Sequence, residues 1–420
     1  MKKTLDDWLK WQETLHTTEI DLGLGRIRQV ADRLDLLNPN FPIITIAGTN
    51  GKGSSVAFFE AMLLADDYTT GSYTSPHLIQ YNERIKLSGI NANDAQIIAA
   101  FEEIDKARKD VSLSYFEFGT LAAMLIFTQQ AVDIAILEVG LGGRLDAANL
   151  WDTSLAIITS IAIDHESWLG NDREKIGTEK AGIMRANTPV ICGDPTPPDS
   201  IKNIAKKTKA TLQQINKDFS FQQATNNTWV WQNNKTQYQL PKPSLRGEFQ
   251  LNNAATVIAG LKSISKHLPV SLNAIRKGLK NATIMGRLQC INTSPDWLID
   301  VAHNPHSALA LSNHLDEHPS SGKTIALFSM LKDKDIKQVL SIMNRHIDEW
   351  HIVGLEGSRG ITTKELISTM KTAKIEAKVI PHSSFSDAVY LLKKDCKNKD
   401  KVVVFGSFLV ISNVIEVWGS

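Results

Sequence analysis

The sequence predicts an α/β fold built as two domains. Three observations carry that expectation. Apolar, β-branched runs alternate with segments of helical period along most of the chain, the pattern of a mainly parallel sheet. The 420 residues exceed what one hydrophobic core usually serves. The alternation lapses once, from about Thr211 to Leu240, and then resumes.

Taken in order, "PIITIA", "VDIAILEV", "SLAIITSIA" and "TPVICG" read as buried parallel strands, because each is short, β-branched and apolar on both faces. "GKGSSVAFFEAMLLA", "NDAQIIAAFEEIDKARK", "FEFGTLAAMLIFTQQ" and "DREKIGTEKAGIMR" read as the helices between them. "ATNNTWVWQNNKTQYQL" alternates around an Asn-Asn turn signal, so short antiparallel strands at a sheet edge are expected there, without chemistry of their own. Two helices follow, in "NNAATVIAGLKSISKHL" and "SLNAIRKGLKNA". A second α/β series then supplies the strands "WLIDVA", "TIALFSM", "EWHIVGL", "AKVIPH" and "KVVVFGSF". The boundary is placed near Thr283, giving domains 1–283 and 284–420.

The totals narrow the function classes. A formal net charge of +1 gives no bulk attraction to nucleic acid or to an acidic membrane, so an anionic substrate must be held by a few placed cations. Cys192, Cys290 and Cys396 are odd in number and form no C-x-x-C pair, which suggests neither a disulfide framework nor a cysteine zinc site. Reduced thiols in a cytoplasmic chain are expected. "MKKTLDDWLKWQ" has no apolar core of the signal-peptide kind, and runs such as "LAAMLIF" fall short of the ~20 residues of a membrane span.

The stretch from Ile44 to Leu63 carries the chemistry. A strand ends at Ala47 and a helix starts near Lys52. Glycines between them let backbone N–H groups converge on an anion, and the helix N-terminus adds positive potential. Thr49, Asn50, Gly51, Lys52, Gly53 and Ser54 therefore read as a phosphate-binding loop, with Lys52 reaching a terminal phosphate and Ser54 or Ser55 near a metal. The ligand is most simply ATP. The spacing departs from G-x-x-x-x-G-K-[ST], and a tight turn with an exposed lysine is the alternative. The fold expectation sharpens to an N-terminal P-loop ATPase domain with a mainly parallel sheet, plus a smaller C-terminal Rossmann-like domain.

ATP chemistry needs a divalent metal, usually Mg²⁺, held by few protein ligands beyond the carboxyl ends of strands. Glu138 ends "DIAILE", His165 follows "TSIAID" and Ser75 follows a short strand before Pro76. Each has a plainer reading: Glu138 as a cap or ion-pair partner, His165 as a hydrogen-bonded structural residue, Ser75 as a turn hydroxyl. Asp164 could orient His165 or cap the following turn.

At this point the motifs resemble a known family. "LHTTEIDLGLGRI", "AGTNGKGS", "YTSPHL", "SYFEFGTLAA", "LEVGLGGRLDAAN", "TSIAIDHESWLG", "EKAGIMR", "NNAAT", "MGRLQ", "IDVAHNPH" and "MLKDKD" occur in the order seen in bifunctional dihydrofolate synthase/folylpolyglutamate synthases, which are Mur-ligase-like ATP-dependent ligases. The resemblance implies a two-domain enzyme with ATP and Mg²⁺ in its cleft. Thr49 to Lys52 would hold the triphosphate, with Ser75, Glu138 and His165 on Mg²⁺ and Asn253, Arg287 and Asp300 on ATP. Glu19, Ile20, Asp21 and Leu22, with Ser114, Tyr115, Phe116 and Glu117, and Leu145, Asp146 and Ala147, match the family's pterin-substrate segments. Lys180 matches a lysine that the family carries as a carbamate; a surface ion pair in mid-helix is the alternative. Asp300 could instead cap the helix after His303, and Arg287 could merely fix the linker. His303 is a candidate base for the incoming amine, or a structural hydrogen-bonding residue.

The implied reaction joins L-glutamate to dihydropteroate and to folates through an acyl phosphate, in a monomer with small-molecule partners only. A mono-functional folylpolyglutamate synthase is the near alternative. A muramyl ligase would carry a further domain before the loop, where only about 47 residues stand. A non-catalytic nucleotide switch would not need Asp300 in a second α/β domain.

Overall fold

The computed structural model describes residues 3–18, 20–225 and 227–419. The chain forms two compact units, one of Met1–Ile163, Leu169–Ser244 and Gln250–Thr283, the other of Asp164–Trp168, Leu245–Phe249 and Ile284–Ser420. Both are α/β, as the sequence predicts.

The larger unit contains an eight-stranded sheet of β1 (Ile43–Ala47), β2 (Thr70–Tyr73), β3 (Ile85–Leu87), β4 (Ile90–Asn91), β5 (Ile134–Glu138), β6 (Leu155–Ile158), β7 (Pro189–Cys192) and β8 (Thr211–Gln214). Their order is β4-β3-β2-β5-β1-β6-β7-β8. From β2 to β8 the pairings are parallel, and β3 and β4 add an antiparallel edge. Every residue of β1 and β5 is buried, which is why both read as unbroken apolar runs. Helix Tyr115–Gln129 is buried without a break from Glu117 to Phe127, so its sequence is apolar all round rather than striped. Its start is fixed by a reciprocal cap: Glu117 N donates to Ser114 Oγ at 3.3 Å and Ser114 N to Glu117 Oε2 at 2.8 Å. Such a cap stabilises a helix by about 1 kcal/mol.

The stretch of altered texture corrects one expectation. β8 is the edge of the large sheet and pairs parallel with β7. β9 (Phe219–Thr225), β10 (Thr228–Asn233) and β11 (Gln237–Pro241) form their own antiparallel sheet, in the order β11-β10-β9. Period-two alternation specifies a buried face but not the sheet a strand joins. Trp229, Trp231 and Leu240 fill that face, and Trp231 Nε1 donates to Ala255 O at 3.0 Å on helix Phe249–Ser263. Asn226 lies outside the described residues.

In the smaller unit six strands form one sheet: β12 (Gln289–Thr293), β13 (Asp296–Ile299), β14 (Thr324–Phe328), β15 (Glu349–Val353), β16 (Lys378–His382) and β17 (Lys401–Phe405). The order is β12-β13-β17-β14-β15-β16, with only β12 antiparallel to its neighbour. Phe328, Trp350 and Phe405 pack edge-on and tilted in its core. Among the described residues no helix is long and apolar enough to cross a membrane.

Candidate active site

The phosphate-loop candidate joins β1 to helix Lys52–Leu64. β1 lies between β5 and β6, so the chain leaves β1 on one side and returns past it on the other. In open α/β sheets that reversal marks the crevice where ligands bind. The loop is held from the end of β6: Thr49 N donates to Ser160 O at 2.6 Å, Thr49 Oγ1 to Ala162 O at 3.0 Å, and Thr159 Oγ1 to Asn50 O at 2.8 Å.

Glycine is required at two places. A Cβ on Gly48 would lie 1.7 Å from Thr159 Oγ1. Gly51 has φ +90°, and a Cβ there would meet Asn253 Oδ1 at 2.6 Å. Asn253 therefore packs on the loop. Its Nδ2 donates to Gln250 Oε1 at 3.0 Å, and Gln250 Nε2 donates to Ser54 Oγ at 3.1 Å. Ser55 Oγ is buried with no hydrogen-bond partner among the described residues. Lys52 is partly buried rather than exposed, and its Nζ donates to Gly48 O at 3.1 Å and Thr49 O at 3.3 Å. The cation thus sits over the loop it would share with a phosphate.

Parallel pairing of β2 with β5 sets Tyr73 opposite Leu137, which carries Ser75 to Glu138. Ser75 N donates to Glu138 Oε2 at 3.3 Å, and the carboxylate is 5% exposed. A hydroxyl and a buried carboxylate at strand ends fit a hard, oxygen-seeking cation. His165 has φ +52° and belongs to the 164–168 segment grouped with the smaller unit. Its N–H donates to Asp164 Oδ1 at 2.8 Å.

The three segments matched to a pterin substrate meet within the larger unit. Glu19 lies outside the described residues. Ile20, Asp21 and Leu22 join helix Leu5–Leu15 to helix Gly25–Arg33. Arg26 clamps Asp21 Oδ2 at 2.6 Å and Glu117 Oε1 at 3.2 Å, tying the first segment to the Ser114–Glu117 cap. His16 Nε2 is 3.0 Å from the same Asp21 oxygen. Phe116 packs on Gly140, just before the third segment, where a Cβ would lie 2.8 Å from its ring. Asp146 is buried there, accepting from Leu141 N at 2.8 Å and Ala148 N at 2.9 Å. Burial pushes its carboxyl up to about 6, against the pull of those N–H groups, Gly140 N and the Lys52 charge. Lys52 therefore acts on both the loop and the buried acid. Tyr115 packs edge-on to Tyr81 at 5.7 Å, with the Arg84 guanidinium 5.3 Å from its ring.

Lys180 corrects its plainer reading. It lies in the last turn of helix Arg173–Ala181 and is 4% exposed, so it is not a surface residue. Backbone at Glu179 and Lys180 packs on Gly143, where an added Cβ would be 2.5 Å from Glu179 O.

In the smaller unit both Asp300 oxygens are engaged, accepting from Leu288 N and Ala302 N, each at 2.8 Å. Burial raises its carboxyl, and Arg287 opposes the rise most. The helix cap after His303 is Asn304, not Asp300: Asn304 Oδ1 accepts from Ser307 N at 2.9 Å. The Arg287 guanidinium lies 5.1 Å from the Phe408 ring. His303 is held at both nitrogens. Nδ1 is 2.8 Å from Val301 O and so carries a hydrogen, while Nε2 is 3.4 Å from Asp164 Oδ2. Burial opposes ionisation of Asp164, but the His303 hydrogen bond and the Lys334 charge hold it well below the usual carboxylate range. Lys334 Nζ donates to Asp164 Oδ1, and Asn304 Nδ2 to Oδ2 at 3.1 Å.

Sequence reading missed Arg26, His16, Gln250, Thr159 and Lys334. Arg26 and Lys334 pair with residues 91 and 170 positions away, and their segments, though matched to the family, gave no sign of those partners. Lys334 falls in "MLKDKD", which gave a segment without a role.

Residues 286–408 match the family described as Mur ligase, glutamate ligase domain. Dihydrofolate synthase/folylpolyglutamate synthase of Escherichia coli K12 is 42% identical over 414 residues, covering 98% of this chain and 95% of the relative. The solved structure of E. coli FolC in complex with DHPP and ADP has a TM-score of 0.94 at 41% identity and covers 99% of this chain and 98% of that one. A bifunctional folylpolyglutamate synthase/dihydrofolate synthase with Mn, AMPPNP and L-glutamate bound has a TM-score of 0.92 at 42% identity, covering 100% and 98%.

Proposed function

The chain belongs to the dihydrofolate synthase/folylpolyglutamate synthase family, and from that premise we propose that it ligates L-glutamate to dihydropteroate and to folates at the expense of ATP. The observation that carries this reading is the double reach of Lys52. It donates to the phosphate loop at Gly48 and Thr49, and its charge bears weakly on buried Asp146 of a pterin-matched segment. The loop cation and a buried acid of a pterin-matched segment thus lie in the same unit.

Ligation requires an activated carboxyl group. A substrate carboxylate oxygen attacks the terminal phosphorus of ATP and ADP leaves. The glutamate amine then attacks the acyl carbon, and phosphate departs with one former carboxylate oxygen. The protein's part is positioning and charge neutralisation. Thr49, Asn50, Gly51, Gly53 and Ser54 hold the polyphosphate, and Lys52 offsets charge as the two anions approach. Ser75, Glu138 and His165 would hold Mg²⁺, which when bound neutralises polyphosphate charge. Asn253, Arg287 and Asp300 are the proposed further nucleotide contacts. The Asp21, Glu117 and Asp146 segments, with Ile20, Leu22, Ser114, Tyr115, Leu145 and Ala147, cradle the pterin acid. Buried Lys180 is the proposed carbamate. His303 is the proposed proton acceptor for the amine. Residues 1–283 and 284–420 are the proposed functional domains of a cytoplasmic monomer.

Incubation with ATP, L-glutamate and dihydropteroate tests the proposal. ADP and phosphate must appear in step with dihydrofolate, and only when all three substrates are present. ATP turnover indifferent to the other two substrates would reject it.

A further inference from the structure

Helix Pro305–Glu317 of the smaller unit ends in the stretch His314-Leu315-Asp316-Glu317-His318, which has no part in the site above. His314 and His318 stand four residues apart, the spacing that puts two histidines on one helix face. Their ring centroids are 4.4 Å apart. One nitrogen from each ring and one Glu317 carboxylate oxygen all lie within 4.8 Å of one another. Asp316 is turned to other partners, Arg345 and His346.

We propose that His314, Glu317 and His318 form a second metal site, selective for a divalent transition metal of the Zn²⁺ type. One buried, unpartnered atom points to a ligand. His314 is 7% exposed, yet its Nδ1 has no hydrogen-bond partner among the described residues. Leaving a buried polar atom unmatched is unfavourable, and a metal bond at that atom removes the deficit. His318 Nδ1 is 3.1 Å from His314 O. A carbonyl can only accept, so Nδ1 carries the hydrogen and Nε2 is the nitrogen left to face a ligand. A backbone carbonyl on one ring nitrogen is the arrangement that orients metal-bound histidines through the other.

The surroundings suit a cation on balance. The last carbonyls of the helix give the site partial negative potential. The charges of Lys401 and Arg246 lie near His314. Lys401 and Arg246 oppose a bound cation. Lys401 is itself engaged by Asp296 at 3.6 Å and by the His318 carbonyl, which lessens its effect. Two imidazoles and a carboxylate, with water completing the tetrahedron, are a common Zn²⁺ set. Bonds of ~2.1 Å place donors about 3–4 Å apart, within side-chain adjustment of the present spacing. Glu317 and His318 are exposed, so the metal has access.

The test is equilibrium dialysis of the full chain against Zn²⁺, with saturating Mg²⁺ and ADP to fill the nucleotide site. Wild type should bind one equivalent more than His318→Ala, and Glu317→Ala should weaken that equivalent about tenfold or more. Both exposed variants should keep full ligation activity; His314→Ala is avoided as the lead variant because that residue is buried. Equal Zn²⁺ stoichiometry and affinity in wild type, His318→Ala and Glu317→Ala would overturn the proposal, as would a wild type that binds no Zn²⁺ under these conditions.

Discussion

Replacing Gly48 by alanine should disable nucleotide binding through Thr159. The added Cβ would sit 1.7 Å from Thr159 Oγ1, 3.0 Å from its Cβ and 3.2 Å from its N. Ordinary contacts need about 3.5 Å. Relief requires Thr159 to turn away or the loop to move, and either breaks the 2.8 Å bond from Thr159 Oγ1 to Asn50 O. The lost hydrogen bond costs about 1 kcal/mol and the overpacking about 1–3 kcal/mol. If the loop absorbs that total of about 2–4 kcal/mol, ADP affinity falls roughly 30- to 1,000-fold. Isothermal titration with ADP and Mg²⁺ measures it, with circular dichroism as the fold control. Adding Thr159→Ala removes Oγ1 but leaves the 3.0 Å Cβ contact, so the double variant should recover part of the loss, a coupling of about 1–2 kcal/mol. A single variant that binds ADP within about threefold of wild type would refute the reasoning, given that each tenfold is about 1.4 kcal/mol. So would a double variant no better than the sum of its parts.

Other outcomes follow from the same geometry. Lys52→Ala should lower turnover by about 10²-fold or more, as removal of a charge-stabilising group does, while the thermal melt stays near wild type. Glu138→Gln should shift the Mg²⁺ titration of activity to higher concentration; an unchanged titration would remove Glu138 from the metal set. Arg26→Ala should raise KM for dihydropteroate, since it unties Asp21 from Glu117, with ADP affinity unchanged. Asp146→Asn tests linkage. The folded carboxyl is raised to about 6, so its contribution is fully present below the ordinary Asp range and is lost as pH rises through 6. The rise of about two pH units corresponds to about 3 kcal/mol. Stability of wild type relative to Asp146→Asn should therefore fall by about that amount between pH 4 and 7.5, and a pH-independent difference in denaturant midpoints would contradict it.

Much of this molecule was legible in its sequence for a local reason. The phosphate loop is a strand, three glycines and a helix in succession, and each part has its own short-range signature. Glu138 was marked as a candidate because a carboxylate ending an apolar strand stands out. The joining of Asp21 to Glu117 by Arg26, and of Asp164 to Lys334 and His303, was not legible, because Glu117 lies 91 residues from Arg26 and Lys334 170 from Asp164. The β9–β11 sheet was misassigned because alternation reveals which face is buried and not the neighbouring sheet. A surface ion pair was the alternative for Lys180 because a charged residue in a polar helix is usually exposed; its helix packs on the Gly143 loop and the residue is buried.

The most direct measurement is oxygen transfer from acid to phosphate. Dihydropteroate labelled with ¹⁸O in its carboxylate is converted with ATP and L-glutamate, and the released phosphate is weighed by mass spectrometry. The mechanism above predicts one ¹⁸O in each phosphate formed per dihydrofolate. Product formation with unlabelled phosphate would contradict it.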